Sequence, residues 1–276
     1  MGKKKVIGSE EQSRPAIGVF DSGVGGVTVA GAIYRLLPDE DVIYLGDTAR
    51  VPYGNKSSTT VTRFTKEGIN CLITNFNIKL MVVACNTASA AALPQLGEIG
   101  IPLLGVIEPG AKAAAAASRK RRVGVIGTRT TISSGAYHAA IREIAPDIVT
   151  FGVACPLFVP LAEEDWGDTD VAHLAASHYL AGLRDADVDV VVLGCTHYPI
   201  LRQTIANVLG KAVKLVDSAE ETAIAVRWTL HQANALNSGG EIARRRYLVT
   251  DAPQEFLVVA RRFLRDEGLV AEQVEL

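Results

Sequence analysis

The stretch Val82-Val83-Ala84-Cys85-Asn86-Thr87 has an echo far downstream, Val191-Val192-Leu193-Gly194-Cys195-Thr196-His197. Each copy runs an apolar segment of strand length into a cysteine, adds an amide or hydroxyl side chain, and then opens a helical pattern. A second pair precedes it: Gly18-Val19-Phe20-Asp21-Ser22-Gly23 and Gly124-Val125-Ile126-Gly127-Thr128-Arg129 are both short apolar strands ending in a polar turn. Cys85 lies 64 residues beyond Asp21, and Cys195 lies 67 beyond Thr128. The matched spacing predicts two α/β lobes of one design, related by a pseudo-twofold that turns both thiols toward a shared cleft.

Working outward, strand-like runs fall near 16–20, 42–46, 79–85, 102–107, 122–127, 147–153, 188–193, 213–216 and 246–250, with helix-period segments between most of them. Such alternation specifies mainly parallel sheets covered by helices on both faces. The continuous apolar run Val190-Val191-Val192-Leu193 suits a strand buried on both sides. The polar residues 1–14 read as a flexible arm, 15–108 plus 218–276 as the first lobe, and 109–217 as the second. Glu108-Pro109-Gly110 is the turn signal at that boundary, and the alanine-rich segment after it reads as a helix.

Both cysteines are expected at carboxyl ends of strands beside helix amino termini. Asn86 and Thr87 are the cap candidates after Cys85, and a helix is expected to start at Thr196 after Cys195. Open parallel sheets bind ligands at those ends, and a helix amino terminus favours a thiolate.

Composition narrows the function classes. An apolar fraction of 48% across 276 residues can bury substantial cores, and a net charge of −2 gives no general attraction to nucleic acid or anionic membrane. The basic clusters Arg119-Lys120-Arg121-Arg122 and Arg244-Arg245-Arg246 each precede an apolar run and read as solvated strand entries. The four cysteines lie far apart, with no C-x-x-C pair and no Cys/His cluster at zinc spacing, so no metal is expected. No apolar run approaches the roughly 20 residues of a membrane span, and no apolar core follows Lys3-Lys4-Lys5 as a signal peptide requires. A reducing cytoplasm is the expected location.

Several residues around the thiols have two readings. Asp21, at a strand tip before Gly23, Gly25 and Gly26, suits a partner for a thiol or a substrate ammonium, or a simple Asx-turn. The loop matches neither a Walker motif nor G-x-G-x-x-G. His197 suits a proton partner for Cys195 or a holder of a substrate carboxylate. Glu163 or Glu164 can bring a carboxylate to the cleft or stay solvated. The backbone of Pro52-Tyr53-Gly54 either holds a carboxylate or makes a plain turn. Cys71, Cys155, Trp166 and Trp228 read as packing residues.

Taken together, Asp21-Ser22-Gly23-x-Gly25-Gly26, Pro52-Tyr53-Gly54, Cys85-Asn86-Thr87-Ala88, Cys155-Pro156-Leu157-Phe158-Val159-Pro160-Leu161 and Gly194-Cys195-Thr196-His197-Tyr198-Pro199 closely resemble the bacterial glutamate racemases of the aspartate/glutamate racemase family. The match runs in order from Pro15 to about Phe263. His197 directly after Cys195-Thr196 favours glutamate over aspartate. The resemblance implies interconversion of L- and D-glutamate without pyridoxal phosphate, metal or other cofactor, supplying D-glutamate for peptidoglycan. It implies Cys85 and Cys195 as acid/base residues, with Asp21 and His197 as their partners and Glu163 assisting the second. Asp21, Ser22, Pro52, Tyr53, Gly54, Asn86, Thr87, Thr128, Thr131, Thr196 and His197 would bind substrate. Glutamate is then the small-molecule partner, with a homodimer compatible and neither nucleic acid nor membrane expected. The alternatives are racemisation of a related amino acid such as aspartate, or a single-thiol hydrolase or decarboxylase on the same fold.

Overall fold

A computed structural model describes residues 14–276. In chain order its strands are β1 (Ala16–Asp21), β2 (Val42–Gly46), β3 (Ile78–Val83), β4 (Leu103–Gly105), β5 (Arg122–Gly127), β6 (Val149–Ala154), β7 (Val190–Gly194), β8 (Lys214–Asp217), β9 (Arg245–Val249) and β10 (Glu272–Gln273). The helices are α1 (Val27–Leu36), α2 (Ser58–Asn75), α3 (Asn86–Leu96), α4 (Ile107–Ala117), α5 (Arg129–Ser133), α6 (Ala136–Ile144), α7 (Phe158–Glu163), α8 (Asp170–Asp185), α9 (Arg202–Leu209), α10 (Ser218–Gln232) and α11 (Pro253–Leu264).

Two parallel sheets result, ordered β10-β9-β2-β1-β3-β4 and β6-β5-β7-β8. The segment β2-β1-β3-β4 and the sheet β6-β5-β7-β8 have the same topology, so the sequence repeat is a repeat of strand order as well. The nine expected strands all form. The short exposed β10 was not anticipated, because two polar residues carry no periodic signal.

Side-chain alternation explains why both faces of each sheet are covered. Along β1, Ile17 and Val19 face one core while Ala16 and Phe20 face another. Along β7, Val191 and Leu193 face one core, and Val190 and Val192 face the other. Helices α1, α10 and α11 cover the first face of the six-stranded sheet, contributing Val27, Ala223 and Phe256 to its core.

Three expectations need correction. Glu108-Pro109-Gly110 is no turn: it forms the first turn of α4, where a proline lacks no donor that the helix would use. The helix expected from Thr196 is a 3-10 turn over Tyr198–Leu201, with α9 starting only at Arg202. There the bonds Tyr198 N to Cys195 O (3.1 Å) and Ile200 N to His197 O (3.1 Å) tighten the chain. Trp166 and Trp228 are 51% and 66% exposed, so neither is a core residue. The arm at 1–14 lies outside the described residues except for Arg14, whose guanidinium pairs with buried Asp41.

The basic clusters are strand entries, with Lys120 on Asp187 (2.7 Å) and Arg246 on Glu272 (3.0 Å). Among the described residues no helix is long and apolar enough to cross a membrane, and no group of His, Cys, Asp and Glu is arranged to hold a metal.

Candidate active site

The carboxyl ends of both sheets face one cavity of about 390 Å³. From the six-stranded side come Ser22, Pro52, Tyr53, Gly54, Cys85, Asn86 and Thr87; from the four-stranded side come Thr128, Glu163, Cys195, Thr196 and His197. Both predicted thiols therefore line the same space. Their settings differ in detail. Cys85 is itself the cap of α3, its Sγ accepting from Ala88 N at 3.4 Å, so the cap falls one residue before the expected Asn86 and Thr87. Cys195 has no such helix and instead faces His197, with Sγ 3.8 Å from Nδ1.

Around Cys85 the groups are buried or half-buried. Ser22 Oγ lies 3.4 Å from its Sγ. Asp21 does not line the cavity; it is 1% exposed, and its Oδ2 accepts from Gly23 N at 2.9 Å, which is the Asx-turn. Its Oδ1 has no hydrogen-bond partner. Burial raises the Asp21 carboxyl, against the hydrogen bond from Gly23 and the charge of His197. Burial, then the charge of Asp21, pushes the Cys85 thiol up to about 12, so near neutral pH this sulfur carries its proton.

On the other side His197 connects Cys195 to Glu163. Its Nε2 is 2.8 Å from Glu163 Oε1, and the ring is only 8% exposed. Burial works against the imidazolium, but the adjoining Cys195 and Glu163 overcome it and raise His197 to about 10. Glu163, at the end of α7, is the glutamate that meets the histidine. Its carbonyl accepts from Arg262 of α11 at 2.9 Å, so a helix from the C-terminal segment steadies the turn carrying it.

Close contacts between the two halves fix the width of the cavity. Thr28 Oγ1 donates to Thr196 O (3.0 Å), Thr130 Oγ1 to Gly54 O (2.8 Å), and the Thr87 and Thr128 hydroxyls meet at 2.9 Å. Thr131 lies behind the wall, within 3.0 Å of Thr128 and 3.3 Å of Thr87. Gly25 is needed for its close approach: a Cβ there would overlap Thr196 Oγ1 and the His197 ring.

Two supporting residues escaped the sequence reading. Asp47, fully buried, accepts from Tyr53 OH at 2.5 Å, from Arg50 Nε at 2.7 Å and from Thr250 Oγ1 at 3.0 Å, and so holds the Pro52–Gly54 loop. A signal existed, since Asp47 directly follows β2 much as Asp21 ends β1. Tyr137, whose hydroxyl donates to Asn86 Oδ1 at 2.7 Å, had none. Arg129 also lines the cavity without having been singled out.

Two parallel-sheet halves that each present one thiol to a common cavity define an α/β enzyme equipped to work on a bound molecule from two sides. The family model for Asp/Glu/hydantoin racemase matches residues 27–226, and the chain belongs to that family. A glutamate racemase of Geobacter metallireducens is 56% identical over 250 residues, 90% of this chain and 92% of that protein. Among solved structures, a glutamate racemase of Bacillus anthracis superposes with a TM-score of 0.90 at 39% identity, covering 95% of this chain and 98% of that one. A glutamate racemase of Francisella tularensis in complex with D-glutamate gives a TM-score of 0.89 at 37% identity, with the same coverage.

Proposed function

We propose that this chain interconverts L- and D-glutamate by a two-base mechanism that uses no cofactor, and so supplies D-glutamate for peptidoglycan in the cytoplasm. The observation that carries the reading is the pair Cys85 and Cys195, at equivalent ends of β3 and β7, lining one cavity. Relatives of the same length that are named glutamate racemase supply the substrate.

Inverting an α-carbon means removing a weakly acidic proton on one face and returning one on the other. One sulfur, as thiolate, takes the α-proton. The electron pair left on carbon is delocalised into the adjoining carboxylate, and the opposite thiol gives its proton to the other face. The protonated Cys85 is the donor in the form described above, and the roles exchange for the other enantiomer. Asp21 serves Cys85, while His197 with Glu163 serves Cys195. Ser22, Asn86, Thr87, Thr128, Thr196 and the backbone of Pro52, Tyr53 and Gly54 hold the amino acid, while Thr131, behind the wall, braces the hydroxyls of Thr87 and Thr128. With no cofactor to spread the charge, these fixed donors must stabilise the carboxylate as it gains electron density.

Purified protein given L-glutamate in deuterated water, with no cofactor added, tests this by chiral analysis and mass spectrometry. D-glutamate should form carrying deuterium at the α-carbon early, while the remaining L-glutamate stays largely unlabelled. Early product formed mainly without deuterium would indicate one base serving both faces. No D-glutamate at all would overturn the reading.

A further inference from the structure

Tyr137 lies in α6, which connects two strands of the four-stranded sheet, yet its hydroxyl reaches Asn86 at the start of α3 on the six-stranded side. The ring is 3% exposed and threads between two glycines. A Cβ at Gly194 would lie 3.1 Å from Tyr137 Cε2, and one at Gly110 would lie 3.3 Å from Cε1. Bulkier residues at either point would crowd the ring out of its path.

A side-chain amide has one acceptor oxygen and an NH2 with two donor hydrogens. Tyr137 donates to Oδ1, and this fixes the amide plane and commits Nδ2 to the opposite direction. Asn86 is 2% exposed and lines the cavity, and its Nδ2 is buried without a hydrogen-bond partner. Buried donors are nearly always paired, so an orphan on a cavity wall marks a position that a ligand's acceptor completes.

We propose that Tyr137 is a positioning residue: its hydroxyl locks the Asn86 amide in the orientation that offers Nδ2, not Oδ1, to a substrate carboxylate. The inference rests on the amino-acid substrate proposed above. Without the lock the amide can turn, and an oxygen facing a carboxylate repels it. The carboxylate gains electron density as the α-proton leaves, so the donor contact is worth at least as much in the transition state as in the bound substrate, and its loss raises KM and lowers kcat/KM.

The test is a double-mutant cycle of Tyr137→Phe and Asn86→Ala, reading steady-state constants in both directions and D-glutamate binding by calorimetry. Tyr137→Phe should raise KM roughly tenfold, the scale of a hydrogen bond to a charged group. It should do so equally for both enantiomers, with kcat/KM falling at least roughly tenfold in each direction. In the Asn86→Ala background it should add nothing further. Asn86→Asp, which keeps the acceptor for Tyr137 but replaces the donor, should weaken binding more than Asn86→Ala. A racemising enzyme in which Tyr137→Phe leaves KM unchanged, or multiplies the Asn86→Ala effect by its full factor, would overturn the lock while leaving the glutamate reading standing. Asn86→Asp binding as tightly as the wild type would overturn it without reference to Tyr137. If the wild type fails to racemise but binds D-glutamate, the reading of function falls and the calorimetric cycle still decides the inference.

Discussion

Glu163 and His197 stand 34 positions apart in the chain and meet through a 2.8 Å contact between Oε1 and Nε2, on the wall of the cavity opposite Cys85. Against the cost of burial, Cys195 and Glu163 together raise His197 to about 10 from an ordinary 6.5. A histidine raised on folding stabilises the folded state fully below its unfolded value, and that contribution is lost as pH rises through the folded value. The stability difference between wild type and Glu163→Gln should therefore be full near pH 6 and vanish above about pH 10, as read by urea midpoints from pH 6 to 11. A difference that grows with pH would contradict the pairing. Glu163→Gln should also lower kcat by about 10²-fold, the low end of what a positioned proton partner contributes.

Asp21 and His197 lie beside different thiols, so their replacement should be felt on different faces of the substrate. Asp21→Asn and His197→Asn are each expected to lower kcat at saturating substrate unequally in the L-to-D and D-to-L directions, with the two KM values shifting in the same ratio because kcat/KM must stay equal for the two enantiomers of a racemisation. Initial rates from each enantiomer decide this. Equal effects in both directions would detach the two residues from their respective sulfurs.

Replacing either Cys85 or Cys195 by Ala should abolish racemisation, because either loss leaves one face without a proton carrier. Thiol alkylation should do the same, while a chelator and hydroxylamine should not. Inactivation by hydroxylamine would implicate a carbonyl cofactor, and retained turnover in Cys195→Ala would point to single-thiol chemistry.

Gly25→Ala introduces a Cβ where Thr196 and the His197 ring already stand. Overpacking of this kind costs about 1–3 kcal/mol. Because the strain falls on His197, melting temperature and kcat should drop together. A variant that melts lower yet turns over normally would show that the contact is only structural.

Tyr53→Phe removes the 2.5 Å bond to fully buried Asp47 and leaves that carboxylate with Arg50 and Thr250. Leaving a buried group short of a partner costs about 1–3 kcal/mol. Chemical denaturation should show that loss, and KM should rise because the Pro52–Gly54 loop is no longer held. An unchanged KM would separate the Asp47 network from binding.

The strands and the two thiols were legible because they obey local rules. A buried parallel strand must be a continuous apolar run, and a ligand site in such a sheet must follow its carboxyl end. Thus Val190–Gly194 and the placement of Cys195 could be read from a handful of adjacent letters. Pro109-Gly110 misled because the same dipeptide serves a turn or the first turn of a helix, and only packing of α4 against α6 and α10 selects the latter. The helix expected after Cys195 failed because i to i+3 bonds around Pro199 win there. Tyr137 and Asn86 lie 51 positions apart and meet only once both sheets exist, so no window of sequence contains their relation.

The return of the chain to its first sheet has a consequence for synthesis. β2 ends at Gly46, and its outer neighbour β9 begins at Arg245, 199 positions later. At ribosomal speeds of about 5–20 residues per second, the edge of β2 waits on the order of 10–40 s for that neighbour. During this time an unpaired row of backbone groups beside Val42, Ile43, Tyr44 and Leu45 is open to the strand of any other chain. The four-stranded sheet has every strand by Asp217 and can assemble earlier. The half that carries Cys85 is thus completed after the half that carries Cys195, and the nascent protein depends on its C-terminal segment both to close that edge and to escape aggregation.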